Sequence, residues 1–145
     1  MPTGTNPPRA AEHVIRPIGT VRSALRTRDQ APRQGDEGAP EAWLELDQEL
    51  APGLDGVVEG QEVLVLTWLH QARRDALRVH PRGDASRPPT GVFATRSPDR
   101  PNPIGLHRVR VLEVAPGRLR VGPLEAIDGT PIVDIKPVLS EIAER

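Results

Sequence analysis

The sequence predicts an all-β domain, a mostly antiparallel barrel or sandwich with short helical turns. Two observations lead there. About eight short apolar or alternating stretches recur between Gly/Pro turns, as meandering strands do, and the chain carries 17 Pro and 13 Gly in 145 residues. No segment of about ten residues or more has the apolar period of an amphipathic helix. Hydrophobic residues make up 37% and aromatics only 2%, so the core must rest on Leu, Val, Ile and Ala. A single domain is expected over residues 13–145, behind a flexible polar tail at 1–12 with Pro2, Pro7 and Pro8.

Taken in order, His13 to Leu25 mixes β-branched residues with Pro17 and Gly19 and is expected as an edge or bulged strand, because proline donates nothing to a ladder. Thr27 to Pro40 is a long loop. Ala42, Leu44 and Leu46 alternate with Trp43, Glu45 and Asp47, the pattern of a half-buried strand. Leu50 to Gly60 reads as turns. Val63 to Leu69 is an unbroken apolar run, expected as a central strand buried on both faces. Leu77 and Val79 suggest a short strand, and Val92 to Thr95 another. His107, Val109 and Val111 alternate with Arg108, Arg110 and Leu112, giving a further strand. Leu119 and Val121 follow the Pro116-Gly117 turn, and Ile132, Val133 and Ile135 follow the Asp128-Gly129 turn. Leu139 to Arg145 has room for one or two helical turns.

Composition excludes several functions. There is no cysteine, so disulfides and thiolate metal sites are out, and His13, His70, His80 and His107 lack zinc spacing. No metal is expected. No apolar run is long enough for a membrane-spanning helix and no signal-peptide order opens the chain, so a cytoplasmic protein is expected. A net charge of −1 gives no global field for nucleic acid, so RNA contact would depend on local arginines. Rossmann, P-loop and nucleophile-elbow motifs are absent.

Four groups of residues could carry chemistry. Arg96, Arg100 and Asn102 stand on a loop stiffened by Pro98, Pro101 and Pro103, each of which restrains the residue before it. An arginine fork matches a carboxylate or phosphate. Pro32, Arg33 and Gln34 lie in the long early loop. His70 and Gln71 end the apolar strand, where a structural cap is the plainer account of the histidine and a proton acceptor the alternative. Ile127 to Thr130 forms a turn, and Asp134 and Lys136 follow on one strand face, where a simple ion pair would explain them.

Together the motifs G-V-F-A-T-R-S-P-D-R-P-N-P-I-G-L (91–106), D-G-T-P-I-V-D-I-K-P (128–137), I-G-T-V-R-S (18–23), P-R-Q (32–34) and W-L-H-Q (68–71) resemble the TrmO family, also called TsaA-like or YaeB-like. The resemblance spans about Ile15 to Pro137. It implies a single-sheeted β-barrel, usually a homodimer, binding S-adenosylmethionine near the subunit interface. The activity it implies is N6-methylation of threonylcarbamoyladenosine in the tRNA anticodon loop. Methylation of a small molecule, or cofactor binding without turnover, are the alternatives. Carried onto this chain, the cofactor contacts are Pro32, Arg33, Gln34, His70, Gln71, Arg96, Leu106, Ile127, Asp128, Gly129 and Thr130. Arg33 or Arg96 would clamp the methionine carboxylate, the Asp128-Gly129 backbone would read the adenine edge, and Asp128 would suit the cationic sulfonium. Arg100, Asn102 and Lys136 fall to the substrate. No catalytic base is assigned; His70 and Asp134 are the candidates. The chain departs from the family pattern at His107, where a serine is common, at Val138-Leu139, and at 57–62.

Overall fold

A computed structural model describes residues 11–33 and 35–139 of the chain. Residues 1–10 of the expected tail, Gln34, and most of the expected helical turn at the C-terminus lie outside that set. Among the described residues there are eight strands: β1 (Gly19–Arg22), β2 (Ala42–Leu46), β3 (Glu62–Trp68), β4 (Arg78–Val79), β5 (Thr90–Gly91), β6 (Ile104–Ala115), β7 (Arg118–Gly122) and β8 (Pro131–Pro137). Six of them close into one barrel in the order β1-β2-β7-β6-β3-β8, and β4 pairs only with β5. Every pairing is antiparallel. The helical pieces are short 3-10 turns, the longest being Gln48–Leu54.

The alternation read from the sequence decides what faces inward. Val21, Leu44, Val63, Val65, Val109, Val111, Leu119, Val121, Leu124 and Ile132 fill the interior and are at most 1% exposed. Each buried side chain of this kind contributes about 1.5–3 kcal/mol. Closure leaves the barrel no free edge.

Three expectations need correction. β3 is central but not buried on both faces: Val63, Val65 and Thr67 point inward, while Leu64, Leu66 and Trp68 are half-buried on the outer wall. An unbroken apolar run cannot tell a two-sided strand from a barrel strand whose outer face is also apolar. The His13–Leu25 strand shrinks to Gly19–Arg22 and is no edge, since β1 pairs β2 on one side and β8 on the other. Pro17 stays outside the ladder. Val92 to Thr95 is not a strand. Val92–Ala94 is a 3-10 turn closed by the Thr95 N–H donating to the Val92 carbonyl (3.1 Å), and the loop's hydrogen bonds override the local β preference.

Because neighbouring strands alternate in direction, one rim of the barrel gathers the C-terminal ends of β1, β3 and β7 and the N-terminal ends of β2, β6 and β8. The connections at residues 23–41, 69–103 and 123–130 therefore share that rim. No helix among the described residues is long and apolar enough to cross a membrane.

Candidate functional site

The connections that carry the sequence candidates are knitted together at the shared rim. Asp99, held between two prolines, is the knot. Its Oδ1 accepts the Arg73 N–H (2.8 Å) and Arg28 Nη2 (3.2 Å). Arg28 Nη1 donates to the Gln71 carbonyl (3.3 Å), and the Arg100 N–H donates to the Arg73 carbonyl (3.0 Å). The Leu69 N–H donates to the Pro103 carbonyl (2.8 Å), and the Ala72 N–H closes a turn onto the Leu69 carbonyl (2.9 Å). That turn sets His70 and Gln71 at its corners, both exposed. His70 is thus not buried as a cap; it stands open at the rim.

The arginines of this region divide by what their guanidinium groups do. Segment 70–103 holds seven arginines against three aspartates and no glutamate, a local excess of positive charge in a chain of net charge −1. Arg100 is turned inward: Nη1 donates to the Thr95 (3.1 Å) and Ser97 (2.9 Å) carbonyls and Nη2 to the Val92 carbonyl (2.5 Å). Arg74 donates to the Pro101 carbonyl (2.7 Å) and Asn102 Oδ1 (3.1 Å), with its guanidinium 5.1 Å from the Trp68 ring centroid. Arg100 and Asn102 thereby hold the proline loop in shape. Arg33 and Arg96 are exposed and make no ion pair among the described residues. Arg33 leans on the next segment, since a side chain at Gly83 would come within 3.1 Å of its Nη2. Pro32 beside it is half-buried.

The turn Ile127–Thr130 faces the same rim with the donors of Asp128, Gly129 and Thr130 already used. The Asp128 N–H donates to the Leu25 carbonyl (2.7 Å), Gly129 N–H to the Val21 carbonyl (2.8 Å), and Thr130 N–H and Oγ1 to the Ile127 carbonyl (3.2 and 2.6 Å). Asp128 Oδ1 accepts the Ser23 N–H (3.0 Å), and its Oδ2 lies 3.6 Å from Arg26 Nη1. Asp128 and Gly129 can therefore still offer a ligand their carbonyl oxygens and the second Asp128 oxygen.

Leu106, Asp134 and Lys136 lie on the outer wall. Leu106 stands opposite Leu66, which stands opposite Asp134 on its other side, so the three form one row across β6, β3 and β8. Lys136 Nζ lies 3.5 Å from Asp134 Oδ2, the ion pair the sequence allowed for. Leu106 is 43% exposed and Ile104, next on the same face, 39%.

Two shallow concavities reach this part of the surface. One of about 610 Å³ is lined by Arg22, Arg26, Trp43, Arg120 and Asp128, and one of about 410 Å³ by Glu62, Arg108 and Gly122 among others. Only the first touches a sequence candidate, Asp128. The candidates therefore form an open rim and outer wall rather than a closed cavity. Among the described residues there is no group of three or more His, Cys, Asp or Glu placed to hold a metal ion.

The sequence reading named His107 as a departure from the family pattern but not the polar group it joins. Thr67 and His107 are buried inside the barrel, with Oγ1 to Nε2 at 2.7 Å, and His107 Nδ1 lies 2.5 Å from Glu125 Oε1. Its only trace in the sequence is His107 itself, in an inward position where the pattern calls for an apolar residue.

Comparison with known proteins places this rim in context. Residues 20–144 match the tRNA-methyltransferase O N-terminal domain family. An S-adenosyl-L-methionine-binding protein of Archaeoglobus fulgidus is 44% identical over 129 residues, covering 89% of this chain and 91% of the relative. A protein of Methanothermobacter thermautotrophicus with a similar name is 46% identical over 128 residues, covering 88% and 91%. The crystal structure of TrmO from Pseudomonas aeruginosa superposes with a TM-score of 0.73 at 32% identity, over 94% of this chain and 61% of that one. This chain thus spans about three fifths of the length of that solved structure.

Proposed function

Because this chain belongs to the family of the tRNA-methyltransferase O N-terminal domain, we propose that it binds S-adenosylmethionine at the rim and transfers the methyl group to N6 of threonylcarbamoyladenosine in a tRNA anticodon loop. The observation that carries the reading is the meeting, at one rim, of the three connections holding most of the family-like motifs.

The residues present fit the cofactor. Arg96 and Arg33 are cations available for the methionine carboxylate. The Asp128 and Gly129 carbonyls are acceptors for the adenine amino group, since the N–H groups of these two residues are already bonded within the chain. Asp128 supplies negative charge for a sulfonium, and Leu106 an apolar surface beside it. When bound, the cofactor supplies an electrophilic methyl group; this chain's part is to hold acceptor and methyl in line, the source of much of such acceleration. His70 is exposed at the rim and is the candidate to take the acceptor's proton. Asp134, paired with Lys136 on the wall, is less free to do so. The local arginine excess of segment 70–103 supports a polyanionic substrate.

The test is calorimetry with S-adenosylmethionine, followed by mass spectrometry of nucleosides from tRNA incubated with protein and cofactor. Wild type should bind, and Arg96→Ala should bind roughly 10–100-fold more weakly, the value of a charge-assisted hydrogen bond. Methylated threonylcarbamoyladenosine should appear in the tRNA. Binding without methylation would favour the second reading, a cofactor-binding module. Two relatives of nearly this chain's length, named for binding alone, support that reading.

We also infer a homodimer that closes the open side of the site. The outer wall presents Ile104 and Leu106 next to half-buried Leu66 and Trp68. Ile104→Arg should sediment as a monomer, and an unchanged mass would remove this face from the interface.

A further inference from the structure

The barrel interior is apolar except for a few groups, and two of them lie in the one chain Thr67–His107–Glu125. Thr67 is 0% and His107 5% exposed, while the Glu125 side chain is 18% exposed at the rim. Val65 stands opposite His107 and Thr67 opposite Gly105, so the imidazole leans along the inner face over Gly105 to reach the threonine. A carboxylate has no proton to give, so Nδ1 carries the hydrogen donated to Glu125, and in the neutral ring Nε2 accepts from the Thr67 hydroxyl. No buried side-chain nitrogen or oxygen among the described residues is left without a partner.

Each end of this chain lies close in sequence to a different wall of the proposed pocket. Thr67 precedes His70 by three residues on β3. His107 follows Leu106 on β6. Glu125 precedes Ile127 by two residues in the connection from β7 to β8. No other buried polar side chain joins these three segments among the described residues. Thr130, also buried, bonds only within its own turn.

We propose that His107 is a positioning residue for the cofactor pocket: its ring, bonded to Thr67 and Glu125 from inside the barrel, sets the spacing of His70–Gln71, Leu106 and the Ile127–Thr130 turn. The proposal rests on the reading of those segments as the S-adenosylmethionine site. His107 touches no reacting atom and acts through the walls it joins. The geometry also accounts for Gly105, because any side chain there would occupy the space through which the ring reaches Thr67.

The test measures the dissociation constant of S-adenosylmethionine well below the melting temperature of each variant. His107→Ala should bind about tenfold more weakly, the factor that one or two lost hydrogen bonds imply. Thr67→Val, which removes only the hydroxyl and keeps the barrel packed, should lose about threefold. Glu125→Ala should resemble His107→Ala, whereas Glu125→Gln, which keeps an oxygen acceptor for Nδ1–H, should bind within about twofold of wild type. Long-range proton–nitrogen correlation spectra should show the Nδ1–H tautomer in wild type and in Glu125→Gln. Lowered melting temperatures with unchanged affinity in both Thr67→Val and Glu125→Ala would reduce the group to core packing and overturn the proposal. Failure of wild type to bind at all would overturn the cofactor reading and this proposal with it, so the two failures are told apart by the wild-type measurement.

Discussion

Gly19→Ala should cost at least about 3 kcal/mol of stability and lower the melting temperature by about 10 °C, the largest effect of any single methyl in this barrel. A Cβ at this position would sit 2.1 Å from the Glu45 carbonyl oxygen and 2.8 Å from the Leu46 Cα. Both obstacles are backbone, so no side-chain rotation relieves them. The position is also the seam of the barrel. β1 joins β8 through only Gly19↔Ile132 and Thr20↔Pro131, and the same glycine pairs with Leu46 on β2. Pushing β1 away from β2 therefore strains the shortest ladder that closes the sheet. Thermal and urea denaturation followed by circular dichroism measure this. A melting temperature within a degree or two of wild type would mean that the seam yields at no cost, and the argument from close approach would fail.

Gly105→Ala should cost about 2 kcal/mol and weaken cofactor binding about tenfold. The added Cβ would lie 2.5 Å from Thr67 Oγ1, 2.7 Å from His107 Nε2 and 3.1 Å from Leu69 Cδ2. Here the obstacles are side-chain atoms, so the fold can yield, but only by separating the two that are hydrogen-bonded to each other. The effect should not add to that of His107→Ala. Once the ring is gone, the Thr67 hydroxyl 2.5 Å from the added Cβ is no longer held by it and can turn away, so the double variant should be more stable than the two single losses predict. Strict additivity in denaturation would show that the glycine is needed for some other reason than the imidazole above it.

Much of the candidate rim's loop structure was legible because proline and glycine declare themselves locally. Three prolines between 98 and 103 marked a stiff loop, and Asp128-Gly129 marked a turn. The strand positions followed from the period of two, and β2, β6, β7 and β8 were all expected near where they occur. Local pattern failed where a residue's partner is distant in sequence. Arg100 reads as a solvated or ligand-seeking cation, yet its donors meet three carbonyls of its own loop. Nothing local singles out Asp99, yet it binds Arg28 from another connection and Arg73 from far upstream in its own. Charge type is visible in a sequence; the direction of a long side chain is not.

By itself the sequence determined an all-β chain, the period-two faces of its alternating strands, and a set of polar loops rich in proline, glycine and arginine. Steric limits on φ and the alternation of side chains along a strand act over a few residues, so they can be read without a fold. The tertiary structure decided that six strands close on themselves and that three loops far apart in sequence share one rim. It also decided that Thr67, His107 and Glu125 meet across separations of 40 and 18 residues. Those outcomes depend on which strand pairs with which. Periodicity assigns a residue to a face, and only the closed ladder of hydrogen bonds assigns that face its neighbours.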